Sequence, residues 1–437
     1  MNQKTFRRSL VCIVAVGLFS CCGKHSRSRD NRTPDGSGVA AGDSATAAGK
    51  VGEVSFSAWK KGGIYFVDAT VTNPLQHKAF GVKLGTWVKK VFPEYEALLD
   101  GYVSLVTGSK RTYEAFLGRA RGMSSRLPRH HLQEIRGFAS VFGTGENKPG
   151  DGKLSLDEIL FLNLLGDVAR GTACSVLAAT AAGARDRSPI AGRNLDWPNP
   201  LGILSKLHAV MTIRTRGSLV TLVGFLGHFG AITGMNAKGV FGAILDSGTG
   251  APLVVKDRRS YFFDLRLALE QSKTARALAS SMAAGTRRYT YNHLIFTMDK
   301  SDIMVLENVV SGSGHRAVRM PDSLLNRGVA WGVPNFLAVV NSFVLKGNPD
   351  NHSDSSHNTA RWTKLLSFAK AHPAISAQDM RDAMAQKQGT RPGTGDVLND
   401  QSLQTIIASP GKGTMELRVD PAHGEGGFMT VTVNPVP

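Results

Sequence analysis

The chain has 437 residues, 42% of them hydrophobic, enough for a sizeable core and more than one average domain's length. Its 52 Lys and Arg outnumber 34 Asp and Glu, a formal charge of +18, but the excess is spread along the chain rather than blocked. With no helix-turn-helix, zinc-finger or RNA-recognition signature, no nucleic-acid partner is expected, and dispersed basic charge fits solvated surface or an anionic membrane surface.

Lys4, Arg7 and Arg8 precede the apolar run Ser9–Leu18, the pattern of an export signal too short to span a bilayer. The run ends at Leu18-Phe19-Ser20-Cys21, which resembles a bacterial lipobox. That predicts a signal peptide over residues 1–21, a lipid on Cys21 (with Cys22 as a second candidate), and an exported lipoprotein anchored in a membrane on the periplasmic or cell-surface side. Residues 22–52, rich in Ser, Gly, Ala, Asp and Arg, read as a flexible linker. The exported body then keeps one thiol, Cys174, with no disulfide partner. Free cysteine is often a buried core residue. A lone thiol retained in an oxidising compartment is better explained by reactivity.

Residues 53–173 read as mostly helical, with apolar spacings of three and four over Phe80–Phe92, Tyr95–Val106 and Thr112–Leu117. Pro128 opens another helix, and Ser155 with Glu158 forms a capping box before Leu156–Leu162. Asn147 to Glu158 half-matches an EF-hand loop, but Pro149 stands at a ligand position and Asn147 replaces the first Asp, so calcium is not expected. From Cys174 the texture changes to short strands: Val176–Ala181, Ile190–Asn194, His208–Arg214, Leu219–Phe225 and Gly239–Leu245. Tyr261–Ala284 reads as a helix, Leu294–Met298 and Ile303–Val310 as strands, and Thr359–Ala371 and Ala377–Ala385 as helices. The chain ends in strands at Leu403–Ala408, Thr414–Val419 and Phe428–Val433. Blocks of strands and helices, without strand–helix alternation or repeats, predict an α+β fold.

No Gly-x-Ser-x-Gly elbow, phosphate loop or His-Glu-x-x-His occurs, and the adjacent His130 and His131 should face different ways on their helix. No metal or cofactor is expected. Cys174 follows a small Gly-Thr-Ala lead and opens a β-prone run; Arg193 and Asp196 lie three apart on the next strand. A cysteine that heads a mature chain needs no histidine, because its α-amine has a pKa near ~7.7–8.0 and can serve as base to its own thiol.

Cys174-Ser-Val-Leu-Ala is followed by Gly192-Arg193-Asn194-Leu195-Asp196, Gly234-Met235-Asn236-Ala237-Lys238-Gly239-Val240, Val305-Leu306-Glu307, Val339-Val340-Asn341-Ser342 and Thr359-Ala360-Arg361-Trp362. In this order, over roughly residues 130–437, they resemble N-terminal-nucleophile (Ntn) hydrolases of the choloylglycine hydrolase, acid ceramidase and penicillin acyltransferase kind. The resemblance implies an αββα four-layer sandwich over 174–437, preceded by a helical pro-region over 53–173 whose fragment is either retained or released after cleavage. It implies a nucleophile at Cys174, freed by self-cleavage of Ala173–Cys174, with Arg193 against the thiol, Asp196 on the new amine, and Asn341 and Arg361 completing the site. The implied activity is hydrolysis of linear amides (N-acyl amines, N-acyl amino acids or ceramide-like lipids) through a thioester, with acyl transfer or a non-catalytic binding module as alternatives. Asn236 and Asp246 fall at substrate-side positions. Asp246 stands where bile-salt hydrolases and ceramidase carry an oxyanion-hole Asn; a carboxylate there would repel an oxyanion, so either another donor serves or Asp246 binds a cationic substrate group.

Overall fold

The computed structural model describes residues 53–169, 173–247, 257–310, 315–349, 351–424 and 426–433. The signal, the lipobox at Cys21 and the linker fall outside these residues. Among the described residues no helix is long and apolar enough to cross a membrane.

The first described element departs from the helical expectation. β1 (Ser55–Lys61) and β2 (Ile64–Thr70) form a hairpin closed by Gly62 and Gly63, with φ of 55° and 78°. Two successive positive φ values suit a two-residue turn that only glycine adopts freely. Helices follow as expected: α1 (Gln76–Val91), α2 (Tyr95–Thr107), α3 (Lys110–Ser124), α4 (Arg129–Phe142) and α5 (Leu156–Asn163), the last with the Ser155–Glu158 capping box. α1 and α4 cross on glycines. A Cβ on Gly81 would lie 2.0 Å from the Glu134 carbonyl, and one on Gly137 2.1 Å from that of Lys78. The half-matched calcium loop is closed by protein donors, Asp100 accepting from Gly150 N at 2.7 Å and Gly152 N at 2.6 Å.

Then come β3 (Ala173–Ala179), β4 (Ile190–Asp196), β5 (His208–Thr215), β6 (Ser218–Phe225), β7 (Thr233–Asn236) and β8 (Phe241–Asp246). The single helix expected over 261–284 is two, α6 (Tyr261–Gln271) and α7 (Ala275–Ala283), because the Thr274 side chain caps a new helix at Ala277 N. β9 (His293–Met298), β10 (Ile303–Asn308), β11 (Arg316–Arg319) and β12 (Phe336–Val339) precede α8 (Ser356–Ala371) and α9 (Ala377–Met384). β13 (Ser402–Ser409), β14 (Thr414–Val419) and β15 (Met429–Thr432) close the chain.

The strands make a nine-stranded sheet, β1-β2-β5-β6-β7-β8-β9-β10-β11, and a six-stranded sheet, β12-β3-β4-β13-β14-β15. Every pairing is antiparallel except β2 with β5, so the unexpected hairpin extends the larger sheet from its edge. The sheets meet where β3 touches β8 and β10 touches β12; α6 and α7 cover the outer face of one, α8 and α9 that of the other. β4, β8, β9 and β10 are buried at every position, as strands covered on both faces must be. The architecture is an α+β, αββα four-layer sandwich.

Side-chain alternation sorts β3 into two cores. Cys174, Val176 and Ala178 join the core between the sheets, while Leu177 and Ala179 join Trp362, Leu365, Met380 and Met384 under α8 and α9. The thiol therefore points between the sheets.

Candidate active site

Cys174 is fully buried near the start of β3, and each of its polar atoms is held by a residue distant in sequence. β12 pairs with β3 only as far as Val339 opposite Val176. Two residues beyond, at Asn341, a side chain replaces the ladder: Asn341 Oδ1 accepts from Cys174 N at 2.6 Å, and Asn341 Nδ2 donates to the Asp246 carbonyl at 2.8 Å. The Cys174 carbonyl accepts from Arg361 Nη1 at 2.5 Å. Arg193 Nη2 lies 3.6 Å from Sγ and donates to the Ile244 carbonyl at 3.0 Å.

β-sheet register explains which residue goes where. Cys174 faces Leu195 and Val176 faces Arg193, so Arg193 shares the inter-sheet face with the thiol, one diagonal step away. Asp196 faces Ala173 and projects to the other side, toward α8. Arg193 and Asp196, three apart in sequence, are thus on opposite faces, and the cation beside Asp196 is Arg361 at 3.7 Å. Asp196 is held by Ser402 Oγ at 2.6 Å and Asn399 Nδ2 at 2.7 Å. Arg361 also donates to Ser175 Oγ (2.9 Å), Asn341 Oδ1 (3.0 Å) and Asn358 Oδ1 (2.6 Å).

The electrostatics are those of a dry site. Burial pushes the Cys174 thiol up to about 11, outweighing the pull of Arg193. Burial raises the Asp196 carboxyl above its ordinary range, opposed by Arg361, Ser402 and Asn399. Burial also lowers both guanidinium groups. Among the described residues, Arg193 Nε and Nη1 and Arg361 Nε have no hydrogen-bond partner. Such orphaned donors are rare in a folded core.

The structure thus brings Cys174, Arg193, Asp196, Asn341 and Arg361 into one cluster. Asp246 adjoins it through its main-chain carbonyl, and its carboxylate accepts from Ser247 N at 2.8 Å. Asn236 does not join it. Its amide donates to the Leu269 and Ser272 carbonyls and accepts from Lys238 N and Val240 N. All four hydrogen-bonding positions of that side chain are used in fastening a turn to α6, which corrects the substrate-side expectation. Asn358, Ser402 and Asn399 were not anticipated. Their signal is only that polar side chains begin otherwise apolar elements.

The N-terminal helices close over one side of the sandwich. Tyr95 Oη donates to the Leu226 carbonyl (2.8 Å), Asn163 bonds Gly227 O (3.1 Å) and Phe229 N (2.8 Å), and Trp197 Nε1 donates to Tyr102 Oη (3.1 Å). Asp167 accepts from Ser260 Oγ (2.5 Å) and Tyr261 N (3.1 Å) at the start of α6. Between them lies an apolar cavity of about 50 Å3 lined in part by Tyr102, Leu165, Trp197, Leu207 and Phe225.

No family model and no curated protein matches the chain. Solved structures similar to it include an N-acylethanolamine-hydrolyzing acid amidase ortholog from Caenorhabditis elegans, at 17% identity over 55% of this chain and 93% of that one, with a TM-score of 0.40. A conjugated bile acid hydrolase variant from Clostridium perfringens follows at 12% identity, 60% and 92% coverage and a TM-score of 0.37. Penicillin V acylase from Agrobacterium tumefaciens is similar at 10% identity, 56% and 83% coverage and a TM-score of 0.36. The architecture and the Cys174 cluster follow from the chain's own sheets, registers and hydrogen bonds.

Proposed function

We propose that this chain is a self-processing cysteine amidohydrolase of the Ntn type. The observation that carries the reading is that Cys174 has its N–H, carbonyl and sulfur each gripped by a different buried side chain. A structural cysteine needs none of these.

In the proposed first step, Sγ attacks the Ala173 carbonyl. A C–S bond forms, the Ala173–Cys174 C–N bond breaks, and the thiol proton ends on the departing amine of Cys174. Water then hydrolyses the thioester, leaving a carboxylate on Ala173. The uncleaved chain holds the thiol protonated, since burial pushes it up to about 11. After cleavage the freed α-amine is the local base that the thiol needs in turnover. Asn341 already contacts that nitrogen, and Asp196 with Arg361 provides the adjacent charged pair. In turnover the amine takes the thiol proton, the thiolate attacks an amide carbonyl, and the ammonium protonates the leaving amine. Water releases the acid. Arg193 stabilises the thiolate, and its free N–H groups are the nearby candidates for charge developing on the carbonyl oxygen, a role that Asp246 as a carboxylate cannot fill.

We further propose linear N-acyl amines, N-acyl amino acids or ceramide-like lipids as substrates, on a protein tethered to a membrane through Cys21. Acyl transfer to an amine uses the same thioester, so product analysis with a competing amine separates the two outcomes. The test of the reading is a thiol-directed probe together with a fluorogenic N-acyl amide. Labelling at Cys174 and turnover that both vanish in Cys174→Ala support it; turnover unchanged in that variant overturns it.

A further inference from the structure

Outside the residues used in any step proposed above, two consecutive histidines do something that helix geometry does not predict. His130 and His131 occupy the first turn of α4, yet their rings lie 3.9 Å apart and both Nε2 atoms reach one carboxylate, Glu270 near the end of α6. His131 Nε2 is 3.1 and 3.3 Å from the two Glu270 oxygens, and His130 Nε2 is 3.4 Å from Oε2. The ligand atoms of these three residues all fall within 4.8 Å of one another.

We propose that His130, His131 and Glu270 form a divalent transition-metal site, of the kind that takes zinc, joining the segment before Cys174 to the body after it. A tetrahedral ion with arms of about 2.0–2.1 Å has edges of about 3.3 Å, close to the 3.1, 3.3 and 3.4 Å that separate the two Nε2 atoms from the Glu270 oxygens. Two imidazoles and one carboxylate are a donor set that suits zinc and its neighbours rather than calcium or magnesium.

The surroundings hold these donors in place as outer partners of a metal site do. Arg266 Nε donates to Glu270 Oε1 at 2.9 Å, and Arg266 is itself fixed by Glu134 through both terminal nitrogens and by the Phe229 carbonyl at 2.9 Å. His77 Nδ1 bonds Glu134 at 2.7 Å, with its ring 5.0 Å from that of His130. In charge, two carboxylates face one guanidinium. Glu134 takes up Arg266 bidentately and Glu270 takes its Nε, so a single guanidinium is shared between two carboxylates, and Glu270 is the one also directed at two imidazoles. A cation between them closes that balance. His131 is fully buried and turns its Nε2 to the carboxylate. The His130 side chain is 32% exposed, which gives an ion a way in.

The consequence is mechanical. Two ligands come from α4, ahead of the Ala173–Cys174 bond, and one from α6, beyond it. A bound ion would clamp the two parts whether or not that bond is cut.

The experiment is zinc chloride titrated calorimetrically into chelator-stripped full chain, with metal content measured after dialysis. The expected result is one zinc per chain in the wild type and equally in Cys174→Ser, which removes the only thiol among the described residues. His130→Ala, at the exposed edge, and Glu270→Gln should each weaken binding about tenfold or more. A raised thermal midpoint with zinc should disappear in both variants. Absence of saturable binding, wild-type affinity in both His130→Ala and Glu270→Gln, or loss of the site in Cys174→Ser would each overturn the proposal. None of these readouts depends on chain cleavage or amide turnover, so the failure of this inference and of the amidohydrolase reading are distinguishable.

Discussion

Two buried arginines show the difference between packing and a poised site. Arg266 and Arg361 are both fully inaccessible, and both join elements far apart in sequence. Arg266 spends its guanidinium on two carboxylates and a carbonyl: Nη2 to Glu134 Oε1 at 2.9 Å, Nη1 to Glu134 Oε2, Nε to Glu270 at 2.9 Å. Arg361 instead contacts four neutral oxygens, keeps its carboxylate Asp196 at 3.7 Å, and leaves Nε without a partner among the described residues. Arg193, beside the thiol, is looser still. A saturated network fixes geometry; an unsaturated one, equally buried, retains capacity for a charge that arrives later. That contrast separates the helix–body contact from the Cys174 cluster without reference to any relative.

The largest effect that would test the contrast is on the saturated side. Arg266→Met strands Glu134 and Glu270 as buried carboxylates, and should cost about 3–5 kcal/mol in urea unfolding. Asn341→Ala comes next, on the other side. It should lower hydrolysis of an N-acyl amide about 10²–10³-fold while costing only about 1–3 kcal/mol of stability. If both variants lose stability and turnover in the same proportion, the two regions do not differ in kind.

Asp167 sharpens the comparison, because it is a carboxylate of the docked segment with no cation beside it among the described residues. Burial raises it to about 8 from an ordinary value of 3.8. A carboxyl raised in the folded state favours the protonated form. Its stabilising contribution is therefore complete in acid and lost as pH rises through about 8. Asp167→Asn keeps the Ser260 and Tyr261 contacts without the charge, and should be more stable than wild type at pH 8 by a few kcal/mol. The two should converge near pH 4, as read from unfolding midpoints across pH. The smallest effect is expected for Ser402→Ala, which removes one of two neutral donors to Asp196. It should cost about 1 kcal/mol and shift the pH profile of turnover rather than abolish activity.

The sequence made the helices α1 to α5, most strands and the residues of the Cys174 cluster readable, because period and cap signals are local and the motifs fall in a fixed order. What it hid was register. That Asn341 continues the ladder from Val339 to face Cys174, that Asp196 turns away from Arg193, and that Ser402 stands opposite Asp196 all follow from pairings between segments up to about two hundred residues apart. Asn236 looked like a site residue because an asparagine in a Gly-rich turn carries the same letters whether it binds substrate or ties down a helix. The β1–β2 hairpin was legible and missed: Lys-Lys-Gly-Gly between alternating apolar runs is a turn signal that the helical tone of the following hundred residues outweighed. His130 and His131 failed the opposite way, since a rule for helix interiors does not bind two long side chains in a first turn.

The central claim is that Cys174 becomes the first residue of a chain. Intact mass and N-terminal sequencing of the purified protein test it directly. The expected result is a fragment beginning Cys174-Ser175-Val176 in the wild type and a single uncut chain in Cys174→Ala. An uncut wild-type chain whose Cys174 resists a thiol-directed probe would contradict it.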